Sequence, residues 1–184
     1  MNLFEAKIVL WIQQNLRADA LDPIVTAITS LGNAGIFWII LTVLLLIFKK
    51  TRKIGLCCAL ALIFDLLAVN IAIKPLVARV RPYVTLPEIV PLGHLSKDFS
   101  FPSGHSAASL AAAWAIFRTT KRKFGVPAMI LALLIALSRL YVGVHYPTDV
   151  IAGILIGIAV GELGVRAGKW IWRKILRRRK HRKG

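Results

Sequence analysis

Ser138-Arg139-Leu140-Tyr141-Val142-Gly143-Val144-His145-Tyr146-Pro147-Thr148-Asp149 lies between two long apolar runs. Charges at the edge of a bilayer core cost several kcal/mol unless they are paired or wetted, so a polar cluster in that position is a functional candidate. Proline suits a first helical position, and His145 and Asp149 stand four residues apart, close enough for a carboxylate to hold an imidazole. A carboxylate on one ring nitrogen fixes the tautomer and leaves the other nitrogen to attack an electrophile. Arg139 adds a planar donor fork suited to phosphate. Taken alone, the stretch also fits an ordinary helix end with an incidental His and Asp.

The flanking runs set the fold class. Hydrophobic residues make up 57% of the 184, and apolar stretches approaching the roughly 20 residues of a membrane span recur along the chain. Each is closed by a basic cluster or a polar loop. The pattern predicts one all-α domain, a polytopic membrane bundle of about five transmembrane helices preceded by an amphipathic interfacial helix. The interfacial helix falls in residues 1–22, the transmembrane core in 24–168 and a basic tail in 169–184. Within the core, 24–48 reads as one kinked helix around Gly32-Asn33-Ala34-Gly35, followed by spans at about 54–73, 102–117, 125–143 and 147–166. Residues 3–16 carry Glu5 and Lys7 and lack a small-residue cleavage site, so no secretory signal is read there.

A net charge of +17 would suggest nucleic acid in a soluble protein. Here most of the 25 Lys and Arg fall at 49–53, 118–123 and 166–183, on every second connection. That is the positive-inside pattern, which predicts a cytoplasmic location for these three segments and no nucleic-acid partner. The tail is expected to contact anionic lipid of the inner leaflet. Cys57 and Cys58 are adjacent in an apolar run, where neighbouring cysteines rarely pair and two alone make no metal site. They read as packing residues.

Two further segments are rich in phosphate-compatible groups. Lys74 and Arg81 are seven apart, nearly two helical turns, which predicts that both project from one helix face while Arg79 points elsewhere. Two converging cations need an anion between them, although a snorkelling flank at the membrane surface fits as well. Pro102-Ser103-Gly104-His105 reads as a helix opening whose exposed N–H groups favour an anion, or as a helix start with a capping hydroxyl. His94, Lys97 and Asp98 lie in the polar loop 83–101 and are assigned no chemistry. Asn70 is placed to position Lys74, and Asp65, deeper in the same span, reads as protonated or bonded to a neighbouring helix. Gly153, Gly157 and Gly161 recur every four residues and read as helix packing, and Glu162 with Arg166 as an ion pair. With the basic clusters on one side, all three polar segments meet at the opposite face.

These segments resemble the type 2 phosphatidic acid phosphatase superfamily, whose pattern is K-x6-R-P, P-S-G-H and S-R-x5-H-x3-D. The chain reads Lys74-x6-Arg81-Pro82, Pro102-Ser103-Gly104-His105 and Ser138-Arg139-x5-His145-x3-Asp149, without departure. Its short form is most similar to the small bacterial undecaprenyl-diphosphate phosphatases of that superfamily. The resemblance implies a phosphohistidine route with His145 as nucleophile, Asp149 as its orienting partner and His105 as proton donor. Lys74, Arg81, Ser103, Gly104 and Arg139 would hold the phosphoryl oxygens. The implied substrate is a lipid phosphate or diphosphate, undecaprenyl diphosphate first, with phosphatidylglycerol phosphate or phosphatidate as alternatives. The implied location is the bacterial inner (plasma) membrane, with the active site outside and the C-terminus cytoplasmic. With only eight Asp and Glu in the chain and no carboxylate pair near the site of the kind that holds magnesium, no metal or other cofactor is expected. A rival reading from another class is a binder or transporter of phosphate-bearing lipid. The constellation also resembles the vanadate site of soluble haloperoxidases.

Overall fold

The structure, a computed structural model, describes residues 3–93, 95 and 98–181. His94, Lys97 and residues 182–184 of the tail lie outside them. Helix α1 (Leu3–Leu16) precedes α2 (Asp22–Ser30), a 3-10 turn (Asn33–Gly35), α3 (Ile36–Ile47) and α4 (Arg52–Asp65). The last of these runs on as a π-helical segment, Leu66–Ile73, into α5 (Lys74–Val77). Then come α6 (Pro82–Thr85), α7 (Gly104–Thr119), α8 (Arg122–Tyr141) and α9 (Pro147–His181). All regular elements among the described residues are helical, as the apolar pattern predicts.

Three helical stretches are long and apolar enough to cross a membrane: Arg52–Thr85, Arg122–Tyr141 and Pro147–Arg178. The pair Asp22–Ser30 and Asn33–Ile47, bent by 44°, raises the number to as many as four. Residues 24–48 are therefore two helices meeting at a break rather than one kinked span. Ala34 and Gly35 take positive φ there, 49° and 65°, which ends one helix and re-aims the next. Helix α7 has 16 residues, short of the ~20 of a full span. The basic tail is not a separate segment either: α9 continues without a break as far as His181, since Lys and Arg are good helix formers and nothing in 169–181 interrupts them.

Helix α7 is the centre of the bundle, packed on α9, α8 and α4. Its Ala107, Ala111, Ala112, Ala113 and Ala115 are buried, so neighbouring backbones approach closely. The α9 glycines complete that approach. A Cβ added at Gly153, Gly157 or Gly161 would fall 2.7, 2.5 or 2.9 Å from the carbonyl oxygens of Ser103, Ala107 and Ala111. Gly164 and Gly168 turn the same helix against α4, at Ala61 and Cys57. Cys57 and Cys58 are buried free thiols in that contact. Large apolar residues such as Ile40, Val43, Leu134, Leu137, Ile151 and Leu155 remain exposed on the outside, as on a surface solvated by lipid.

The helices alternate in direction, which gives the bundle two unlike ends. The α3–α4 link, the α7–α8 link and the far half of α9 bring the basic clusters to one end. The other end collects α5, α6, the loop to α7, the start of α7 and the α8–α9 link, and so carries every motif singled out above.

Candidate active site

Lys74 and Arg81 do converge, but not from one helix face. Helix α5 stops at Val77 because Ala78 turns left-handed, φ 47°, and Arg81 follows in extended backbone as the residue before α6. The anion between them comes from the protein itself. Asp98, in the loop assigned no chemistry, pairs with Lys74 Nζ and accepts from Arg81 Nη2 at 2.6 Å. Arg81 Nε donates to the Asp98 carbonyl at 2.9 Å. Burial would lift the Asp98 carboxyl, yet the bond and charge of Lys74 and the charge of Arg81 outweigh it and hold it down to about 2.

The Pro102–His105 segment starts one residue later than the motif alone suggests. Proline stands ahead of the cap, Ser103 is the N-cap, and Gly104 opens α7. Ser103 Oγ accepts from Ser106 N at 3.3 Å and from Ser106 Oγ at 2.8 Å, so the hydroxyl caps the helix and keeps its own hydrogen to donate. Gly104 faces Lys74: a Cβ there would lie 3.5 Å from Nζ and 3.6 Å from Asn70 Oδ1. Asn70 thus borders the same space without a hydrogen bond to Lys74 among the described residues. His105 Nε2 lies 3.0 Å from Asn33 Oδ1, at the break between α2 and α3.

Gly143, with φ 78°, turns the chain out of α8 and sets His145 ahead of α9. Asp149, in the first turn of α9, accepts from the Tyr146 backbone N–H at 3.0 Å, as a residue three places into a helix does in a capping box. His145 is buried, with Nδ1 3.4 Å from Asp149 Oδ2 and Nε2 3.4 Å from Arg81 Nη1. The Asp149 side of the ring is thereby fixed and Nε2 faces a phosphate-type cation. Burial above all pushes the His145 imidazole down to about 4. The Asp149 bond opposes that shift, while the Arg81 and Arg139 charges add to it. Arg139 is buried on α8, its Nη1 donating to Thr29 Oγ1 at 2.6 Å and its Nε without a partner.

Lys74, Arg81, Asp98, Gly104, His105 and His145 line one cavity of about 660 Å³. It continues between α3 and α4 past Ile39, Val43, Leu46, Leu62 and Leu66, with Asp65 in its wall. Asp65 Oδ1 has no hydrogen-bond partner, so the expected bond to a neighbouring helix is absent. Ser103, Arg139 and Asp149 stand behind this lining. At the opposite end, Glu162 pairs with Arg166 at 3.1 Å as expected and also with Arg118 at 3.0 Å.

The motifs did not reveal Arg79, Ser100 or Glu5. Arg79 points not away from the site but to Asp149, Nη1 to Oδ1 at 2.6 Å, and Ser100 Oγ donates to Asp149 Oδ2 at 2.5 Å. Glu5 accepts from Thr148 N at 3.1 Å and from Thr148 Oγ1 at 2.5 Å. Bonds to Thr148 and the Arg79 charge carry its carboxyl below the usual range, against the burial that would raise it. The one available signal was a third cation, Arg79, inside an eight-residue segment of an otherwise apolar neighbourhood.

A buried imidazole backed by a carboxylate and ringed by three cations, at one end of a helical bundle clad in apolar residues, defines a membrane protein built to handle phosphate. The chain belongs to the PAP2 superfamily, which it matches over residues 51–173. It is 36% identical over 129 residues to the undecaprenyl-diphosphatase of Sulfolobus acidocaldarius, covering 70% of this chain and 62% of that protein. It is 35% identical over 151 residues to the undecaprenyl-diphosphatase BcrC of Bacillus subtilis, covering 80% and 75%. The crystal structure of a transmembrane PAP2 type phosphatidylglycerolphosphate phosphatase from Bacillus subtilis superposes with TM-score 0.70 at 28% identity, covering 95% of this chain and 87% of that one.

Proposed function

We propose that the chain is an integral membrane lipid phosphatase that hydrolyses undecaprenyl diphosphate to undecaprenyl phosphate. The observation that carries this reading is His145 Nε2 facing Arg81 at the head of an apolar cavity. Two relatives named as undecaprenyl-diphosphatases support the choice of substrate. Phosphatidylglycerol phosphate is the second reading, favoured by the phosphatase whose structure covers most of this chain.

In this reading Lys74, Arg81, Arg139, the Ser103 hydroxyl and the Gly104 N–H hold the phosphoryl oxygens, the Asp98 carboxylate giving way to them. Donors fixed in place stabilise the charge spread over the equatorial oxygens of the transition state. The Nε2 lone pair of His145 attacks phosphorus in line, the bond from phosphorus to the leaving oxygen breaks, and His105 gives that oxygen a proton. Asp149 steadies the imidazolium. Water then attacks the phosphohistidine, the P–N bond breaks, and His105 takes a proton back. Protein cations do the charge stabilisation, so phosphate release is expected to persist in a metal chelator.

The bundle spans the cell membrane five times in this reading: the α2–α3 pair, the α4–α5 stretch, α7, α8 and α9. Helix α1 lies in the interface, where its exposed Leu3, Phe4, Trp11 and Leu16 meet the headgroup boundary. The basic end faces the cytoplasm by the positive-inside rule, which sets the reactive end outside.

Phosphate release from undecaprenyl diphosphate, phosphatidylglycerol phosphate and phosphatidate, measured side by side in one detergent, tests the proposal. The first should turn over fastest, and His145→Ala should abolish release. Binding of all three without release would leave a lipid binder, and near-normal hydrolysis by His145→Ala would remove the mechanism.

A further inference from the structure

Arg79 belongs to none of the three motifs and does not line the cavity, yet it touches more of the reactive end than any other cation. The left-handed turn at Ala78 sends it back across the start of α9. Its guanidinium lies 3.9 Å over the Tyr146 ring, a favourable seat for a cation on an aromatic face. From there Nη1 donates to Asp149 Oδ1 at 2.6 Å and to Thr148 Oγ1 at 2.7 Å, and Nη2 to Glu5 Oε1 at 3.1 Å. The Arg79 carbonyl accepts from Ser100 N at 2.8 Å, and Ser100 Oγ holds the other oxygen of the same carboxylate at 2.5 Å.

Both oxygens of Asp149 are thus gripped from outside the dyad, and the imidazole at 3.4 Å is their most distant partner. The carboxylate is placed by Arg79 and Ser100, and the imidazole follows it. We propose that Arg79, shared between Glu5 of α1 and Asp149 of α9, is a positioning residue for phosphoryl transfer that sets the carboxylate orienting His145. The inference rests on the reading of His145 as the nucleophile.

A sign follows from charge. Arg79 offsets part of the Asp149 charge that would otherwise favour a proton on His145. The other groups facing that ring are Arg81 of the α5–α6 link, Asp98 of the loop, Arg139 of α8 and, across the cavity, His105 and Lys74. Removing Arg79 leaves the Asp149 charge uncompensated, so the His145 imidazole should bind its proton at higher pH. Neutral imidazole is the attacking form, so the acid limb of kcat/KM should move up with it.

The test compares wild type, Arg79→Gln, Arg79→Lys and Glu5→Gln, purified in detergent. The readouts are phosphate release across pH and the ¹⁵N titration of the His145 ring, which needs no turnover. For Arg79→Gln the expectation is a kcat lowered roughly ten- to a hundredfold, the size found when an outer-shell partner of a functional histidine is removed. Its KM should hold, and its acid limb and ring titration should both shift up by roughly half a unit or more. Arg79→Lys should recover part of kcat, and Glu5→Gln should shift the titration the opposite way. Should Arg79→Gln fail to fold, the last two variants decide alone. Unchanged kcat and titration, a rise in KM alone, or a lower kcat with the ring titration unmoved would each overturn the role. Failure of wild type to release phosphate would defeat the functional reading, while the titration would still judge Arg79.

Discussion

Nε2 of His105 lies 3.0 Å from Oδ1 of Asn33, a residue 72 positions away in the chain. The amide oxygen accepts, so this bond puts the hydrogen on Nε2 and fixes the ring's orientation. The break between α2 and α3 therefore also steers the proposed proton donor.

Gly32 tests that link sterically. A Cβ there would fall 2.6 Å from His105 Cδ2 and 2.8 Å from Ile135 Cγ2, so Gly32→Ala must push the ring aside. Its kcat should fall by about tenfold or more, with Asn33→Ala falling by a similar factor through loss of the bond. Helical content by circular dichroism should match wild type. Wild-type kcat in both variants would contradict the role given to His105.

The pH profile follows from His145. Held down to about 4, chiefly by burial, its imidazole is neutral far below the ordinary ~6.5. The acid limb of kcat/KM should lie near pH 4, and activity should fall again in alkali as the donor proton is lost. The same group makes the fold acid-sensitive. An unfolded histidine binds its proton near the ordinary value and the folded one only near 4, so between them the unfolded chain holds more protons and stability falls as pH falls. Denaturation midpoints across that window check the sign.

Asp98 and a phosphoryl group compete for Lys74 and Arg81. With its carboxyl held to about 2, Asp98 stays ionised at every working pH. Asp98→Asn should bind orthovanadate and inorganic phosphate several-fold more tightly, read as lower inhibition constants. Weaker inhibition would mean that Asp98 holds the two cations in their binding pose instead.

Packing of α9 is tight enough to be felt. In Gly157→Ala the new Cβ would meet the Ala107 carbonyl at 2.5 Å, forcing α7 and α9 apart. Overpacking of this kind costs about 1–3 kcal/mol, which should appear as a lower midpoint in a sodium dodecyl sulfate titration. Gly164→Ala, against Ala61, should behave alike through α4.

The helical class, the two unlike ends and the pooling of three motifs at one end were legible from residue type and order, because apolar length and basic flanks are local signals. The convergence of Lys74 and Arg81 was foreseen for the wrong reason. A seven-residue spacing counts as one face only if the helix persists, and nothing in Val77-Ala78-Arg79 announces a left-handed alanine. Arg79 was misdirected by the same assumption. Asp98 looked idle because its role depends on a loop folding back onto α5. Glu5 and Asn33 act through contacts more than 70 residues distant in the chain, which no local period encodes.

The π-helical stretch Leu66–Ile73, which feeds directly into Lys74, amounts to an extra residue's worth of phase stored in the helix. Deleting one of those eight residues would let the stretch relax to ordinary winding and rotate everything beyond it by about 100°. Lys74 would then swing off the cavity wall with no side chain in the reactive end altered. A single deletion deep among apolar residues should therefore silence the chain as thoroughly as losing the lysine itself.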